Sequence, residues 1–136
     1  MQNNVAIKRA TTPILPITIE TPCENIKHID FIFKTKIEEK APKLLEKSFD
    51  FPEAIDEAET TLTIVSTVED EADATVEIKD EFFVVNVPFK EKDTRKLTDG
   101  TVYMDTRIVY NNNLIPPTEI VQLNIAETLF NEVFNK

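Results

Sequence analysis

From Phe82 to Ile125 apolar residues return at every second position, interrupted by short polar breaks. Phe83, Val85, Val87 and Phe89 form one such run. Val102, Met104, Ile108 and Tyr110 share the parity of a second, and Val121, Leu123 and Ile125 form a third. Successive side chains of a strand point to opposite faces, so this period predicts three strands, each with a buried face. Phe82 and Val84 fall on the other parity, which predicts cover on both sides of the first strand. The breaks are Lys90–Thr94 with Asp99-Gly100, and then Asn111–Asn113. Neither carries the residue types of a reaction centre.

The same period runs upstream. Ile29, Phe31 and Phe33 alternate with Asp30, Ile32 and Lys34, and Leu62 with Ile64 and Ala74 with Val76 and Ile78 repeat it. Leu44–Phe49 reads as a strand by its length and by Pro42 before it. Phe51–Glu59 reads as the start of a short helix, with Pro52 in the first turn and carboxylates near its positive end. Ile14, Ile17 and Ile19 lie in a segment with Pro13 and Pro16, and proline cannot donate to a ladder. That strand is therefore expected at a sheet edge or a bulge. Short strands with turn signals between them predict an all-β sandwich.

At 136 residues the chain has the length of one domain, residues 1–136. Within it we expect a polar N-terminal arm (1–10), an acidic segment (51–80) and a helical tail (127–136). In the tail Leu129, Phe130, Val133 and Phe134 make one stripe of a short helix. That stripe reads either as a plug on the open end of the sandwich or as an anchor in a neighbouring subunit. There is one Gly in the chain. Turns that need a positive φ must therefore use Asn or Asp, and Asn111–Asn113 fits that need.

Charge excludes some partners. Net charge is −10. Residues 1–50 hold eight Lys/Arg and seven Asp/Glu, residues 51–80 one and ten, and residues 81–136 six and eight. Phosphate binding needs clustered cations, so no nucleic-acid partner is expected. No window approaches the apolar length of a membrane span, and no signal peptide is recognisable, so neither a membrane nor secretion is expected. The run Glu69–Asp73 has three readings: a solvated turn that keeps a sheet edge soluble, a patch for a basic partner, or a cation site. It lacks the Gly and ligand spacing of an EF-hand loop.

Candidates for chemistry are few. Cys23 is the one cysteine, so an intrachain disulfide is impossible, and no cation flanks it to activate the thiol. His28 is the one histidine, and it reads as a surface residue on the polar face of its strand. No zinc spacing, Gly-rich phosphate loop or serine elbow is present. Asp105 and Arg107 share a strand face and can pair with each other or across strands. No catalytic residue, metal or cofactor is expected, and the chain reads as a non-enzyme.

One resemblance runs through these motifs. It comprises Val87-Pro88-Phe89 followed by Lys90-Glu91-Lys92-Asp93-Thr94, then Tyr103-Met104-Asp105-Thr106-Arg107, a polar hairpin, Pro117-Thr118-Glu119-Ile120-Val121, and Thr128-Leu129-Phe130. Together with Arg9–Pro13 and Ile29–Phe33, this order resembles small prophage proteins of Gram-positive bacteria encoded among virion structural genes. The resemblance implies an immunoglobulin-like antiparallel β-sandwich of about seven strands with a short C-terminal helix. It also implies a tail- or baseplate-associated structural role in the virion, with assembly in the host cytoplasm. Other virion proteins are the expected partners, in an oligomeric particle. Ile14, Ile17, Ile19, Leu129, Phe130, Val133 and Phe134 are the expected contacts. Two alternatives belong to other classes: an acidic regulator or inhibitor on a basic protein surface, and a carbohydrate- or host-surface-binding module.

Overall fold

A computed structural model describes residues 5–8, 12–56, 58–97, 100–116 and 120–126. The elements are β1 (Val5–Lys8), β2 (Ile14–Ile19), β3 (Ile26–Lys34), β4 (Leu45–Asp50), β5 (Thr61–Ser66), β6 (Ala74–Ile78), β7 (Phe83–Pro88), α1 (Glu91–Lys96), β8 (Gly100–Tyr110) and β9 (Ile120–Ala126). The strands hydrogen-bond in the order β1-β9-β8-β3-β4-β5-β6-β7-β2. All pairs are antiparallel except β1 with β9.

The order folds into two layers. β1, β9, β8, β3 and β4 form one, and β5, β6, β7 and β2 the other. The joint is short: β4 meets β5 through Phe49 with Ser66 and Asp50 with Val65 alone. Strand order identifies the architecture. An immunoglobulin sandwich sets strands B, E and D in one sheet and C, F and G in the other, with C′ beside C in the variable type. Here β2-β7-β6 occupies the first arrangement and β4-β3-β8-β9 the second. The chain is an all-β, immunoglobulin-like antiparallel β-sandwich.

Period two places the core as the sequence predicts. Ile29, Phe31 and Phe33 of β3 and Phe83, Val85 and Val87 of β7 are fully buried between the layers. Phe33 packs edge-on against Phe89 at 5.7 Å, and Phe51 against Phe83 at 6.2 Å. Such pairs add about 0.5–1.5 kcal/mol beyond the area they bury. No inter-sheet disulfide holds the layers, because Cys23 stands alone. It is buried, and burial pushes its thiol up to about 11. That fits an inert thiol.

Several expectations change. The strand count does not: nine strands among the described residues are roughly consistent with the seven or so expected. Val5–Lys8, expected in a free arm, runs parallel to β9. Among the described residues of 51–59 there is no helix. Phe51 is instead drawn into the core, and its amide donates to the Lys27 carbonyl, which continues the strand pairing. The one described helix, α1, lies where a plain turn was expected. Its entry is closed by Asp93, whose Oδ2 accepts the Lys90 amide at 2.8 Å. The expected C-terminal helix lies outside the described residues. Asn25, Asp70 and Asn113 do take the positive φ values, at 58°, 62° and 67°.

His28 also departs from a plain surface residue. Its Nδ1 lies 2.6 Å from Asp50 Oδ1 and its Nε2 2.7 Å from Asp30 Oδ1. Ionised carboxylates only accept, so both ring nitrogens must carry protons to make both bonds. Asp30 is itself nearly buried, and it accepts from Ser48 Oγ at 2.6 Å and from Arg107 Nη2 at 2.8 Å. Burial pulls the His28 pKa down, but the bonds to Asp50 and Asp30 outweigh it and hold it above its ordinary 6.5. Burial pushes Asp30 up, but the bonds from Ser48, Arg107 and His28 outweigh it and hold it below 3.8.

Two predictions follow from these contacts. The stability that His28 supplies is complete below its unfolded value and is lost as pH rises through its raised folded value. Denaturant titrations of wild type and His28→Ala should therefore differ most near about pH 5.5, below the ordinary histidine value, and converge as pH rises through the raised folded one. Gly100 opens β8 at φ 97°, and a Cβ there would meet nothing within 4 Å. Gly100→Ala should thus destabilise by backbone strain without crowding, on the order of 1 kcal/mol in a denaturant melt.

Candidate functional site

The sandwich presents two broad outer faces, and they differ in kind. On the β4-β3-β8-β9 layer, register sets Ser48, Asp30 and Arg107 side by side, and next to them Glu46, Ile32, Asp105 and Ile120. Its charges are largely matched across strands, with the Asp30–Arg107 pair at the centre. Arg107 thus bonds across strands to Asp30 on β3.

The β5-β6-β7-β2 layer is different. One register row reads Thr63, Thr75, Asn86 and Pro16, and the next Thr61, Glu77, Val84 and Thr18. Val65, Pro88 and Ile14 complete the outward positions, because their neighbours Ile64, Val87 and Leu15 are buried. Glu77 is the single charged residue among these outward positions, and it accepts from Asn86 Nδ2 at 3.1 Å. The chain as a whole is 29% charged. A flat sheet surface this poor in charge has the composition of an interface centre, where charged residues are depleted.

β2 ends this layer, and among the described residues it pairs with β7 alone. The expectation of an edge strand therefore holds. Its three isoleucines part company, however. Ile14 is 66% exposed, whereas Ile17 and Ile19 are buried in the core. Alternation decides this, since Leu15, Ile17 and Ile19 share the inward parity. Of the expected contacts on β2, Ile14 alone is accessible. Leu129, Phe130, Val133 and Phe134 lie outside the described residues.

One end of the sandwich forms a shallow groove lined by Thr21, Pro22, Asn25, Tyr110 and Leu114. The β2–β3 and β8–β9 connections that build it correspond to the B–C and F–G loops, which are the binding loops of variable domains. The Asn111 amide donates to the Asn25 carbonyl at 2.7 Å, which ties the two loops together. Leu114 and Ile115 stand exposed on the hairpin beside it. β9 runs the other way, so its last residues, paired with Gly100, lie at the opposite end.

The acidic run is partly structural. Asp73 Oδ1 accepts the Ser66 amide at 2.9 Å, and the Glu71 side chain turns inward, with 2% of it exposed. There it meets Lys47 at 2.8 Å, and Lys47 also holds Asp93 at 2.7 Å. This interior cluster is the feature that the sequence reading passed over. Its signal was present: Lys47 lies between Leu45 and Phe49 on the buried parity of β4. No group of three metal-ligating side chains occurs among the described residues.

No known protein-family model matches the sequence, and no curated protein matches it. Solved structures similar in shape include the extracellular domain of the voltage-gated sodium channel β4 subunit, with a TM-score of 0.39 and 12% identity over 93% of this chain and 92% of that one. The NK cell receptor NKp44 scores 0.39 with 11% identity over 92% and 100%. A further structure of sodium channel β subunits scores 0.40 with 11% identity over 93% and 92%. Similarity this distant carries no statement about function, and the fold assignment rests on the strand order.

Proposed function

We propose that this chain is a non-enzymatic structural component of a phage or phage-tail-like particle. Its place is near the tail or baseplate, where it docks on other virion proteins. The sequence order from Val87 to Phe130 supports the setting. The observation that carries the docking role is the charge-poor outer face of β5, β6, β7 and β2. A chain with net charge −10 repels most acidic surfaces, and this face is where another protein can approach without burying unpaired charge. Ile14 stands exposed at its corner and extends the apolar contact to the sheet edge.

Among the alternatives, the acidic-regulator reading loses part of its footing. Glu71 points into the interior and Asp73 bonds the backbone, which leaves Glu69 and Asp70 as the free carboxylates of that run.

If the reading holds, the protein co-sediments with purified particles in stoichiometric amount. Recovery only from the soluble fraction of the lysate would reject it. Thr75→Lys places a charge at the centre of the face. It should change stability by no more than about 0.5 kcal/mol, as surface substitutions do, while sharply reducing incorporation into particles. Asn124→Lys, on the exposed side of β9, is the control and should incorporate normally.

A further inference from the structure

Three ionisable side chains meet in the interior almost out of reach of water. The side chains of Lys47 and Asp93 are 0% exposed, and that of Glu71 is 2% exposed. Lys47 Nζ lies 2.7 Å from Asp93 Oδ2, 2.8 Å from Glu71 Oε1 and 3.0 Å from the Pro88 carbonyl. The Phe89 ring lies 5.1 Å from the same nitrogen and closes the site on that side. Asp93 Oδ1 is buried and has no hydrogen-bond partner.

A buried ion pair needs one carboxylate, and each further buried charge adds its own desolvation penalty. Here a second carboxyl stands beside the first. Burial and the Asp93 carboxyl beside it push the Glu71 carboxyl up against the pull of Lys47, and so favour its protonated form. Burial would raise Asp93 too, but the bonds from Glu71, Lys47 and the Lys90 amide hold it low. The site thus contains an amine in contact with two carboxyls, one to react and one to carry a proton.

The geometry points to an intramolecular amide bond between Lys47 Nζ and Asp93 Cγ, formed by the folded chain itself with Glu71 as the proton carrier. Lys47 first passes a proton to Asp93 along their 2.7 Å contact, which leaves a neutral amine and a carboxylic acid. In a dry interior that uncharged pair escapes the desolvation penalty of the ions. The Nζ lone pair then attacks Cγ. One Glu71 oxygen takes the surplus amine proton while the Glu71 O–H protonates the hydroxyl that departs. A C–N bond forms, a C–O bond breaks, and one water leaves. Nothing is oxidised or reduced, and Glu71 ends as it began. The proton enters at Oδ2, so Oδ2 departs in the water and the buried Oδ1 becomes the amide oxygen.

Holding amine and carboxyl in contact replaces a bimolecular encounter and is worth an effective concentration that no free amine reaches. Exclusion of water protects the product from hydrolysis. The bond would join β4 to α1 covalently across 46 residues of chain, in a protein where no disulfide can form. This inference does not rest on the particle reading and stands or falls separately from it.

Mass spectrometry tests it on the full chain. The intact folded protein should be lighter than its sequence by one water. Tryptic digestion should yield a branched peptide that joins the segments containing Lys47 and Asp93. Glu71→Gln, which keeps a hydrogen-bonding side chain on Lys47, should keep the fold and show the full sequence mass. A wild-type mass equal to that of the sequence overturns the inference, and so does a lost water with no Lys47–Asp93 branched peptide. The latter separates the amide from ring closure at Asp99-Gly100, which also releases water. Bond formation in Glu71→Gln to the wild-type extent would overturn the role of Glu71.

Discussion

Lys47 is the residue on which the closure of this sandwich depends. It enters the interior from β4, between Leu45 and Phe49, and carries a charge into a space otherwise lined by phenylalanine and valine. A charge there is tolerable only if it is paired and hydrogen-bonded. The chain meets that demand by bringing Glu71 from the β5–β6 turn and Asp93 from α1 onto one nitrogen. The β5–β6 turn, the exit of β7 and the start of α1 are thereby set relative to β4. Removing one partner would strand the others, which costs more than the interaction itself supplies.

The two outer faces divide the remaining labour. One is occupied by its own polar network, with Asp30 receiving His28, Ser48 and Arg107. Its charges are satisfied internally, and a partner would have to break those bonds to use them. The other face offers threonine, valine, proline and isoleucine with one carboxylate. It has few bonds of its own to lose. This asymmetry is the physical basis for placing contacts on β5, β6, β7 and β2 and not on β3 and β8.

Much of the fold was legible because strand burial has a strict period of two. Phe83, Val85 and Val87, and Ile29, Phe31 and Phe33, are buried as their spacing predicts. Asn25, Asp70 and Asn113 at positive φ follow from a chain with one glycine. β1 was not legible, since four residues give too little pattern and their pairing with β9 spans nearly the whole chain. α1 was missed because six residues contain less than two turns of apolar period. The three isoleucines of β2 do not form one contact set, because Ile17 and Ile19 share an inward parity that Ile14 does not.

The sequence by itself determined the all-β class, the positions of most strands, the edge character of β2 and the net charge of −10. Each of these depends on local spacing or on summed charge. Tertiary structure decided which carboxylates are solvated and which are buried, and which lysine faces inward against them. It also decided which sheet face is left poor in charge. Those outcomes depend on register between strands distant in sequence, such as Asp30 beside Arg107 and Thr18 beside Val84. A shift of one residue in either pairing would turn every side chain to the opposite face.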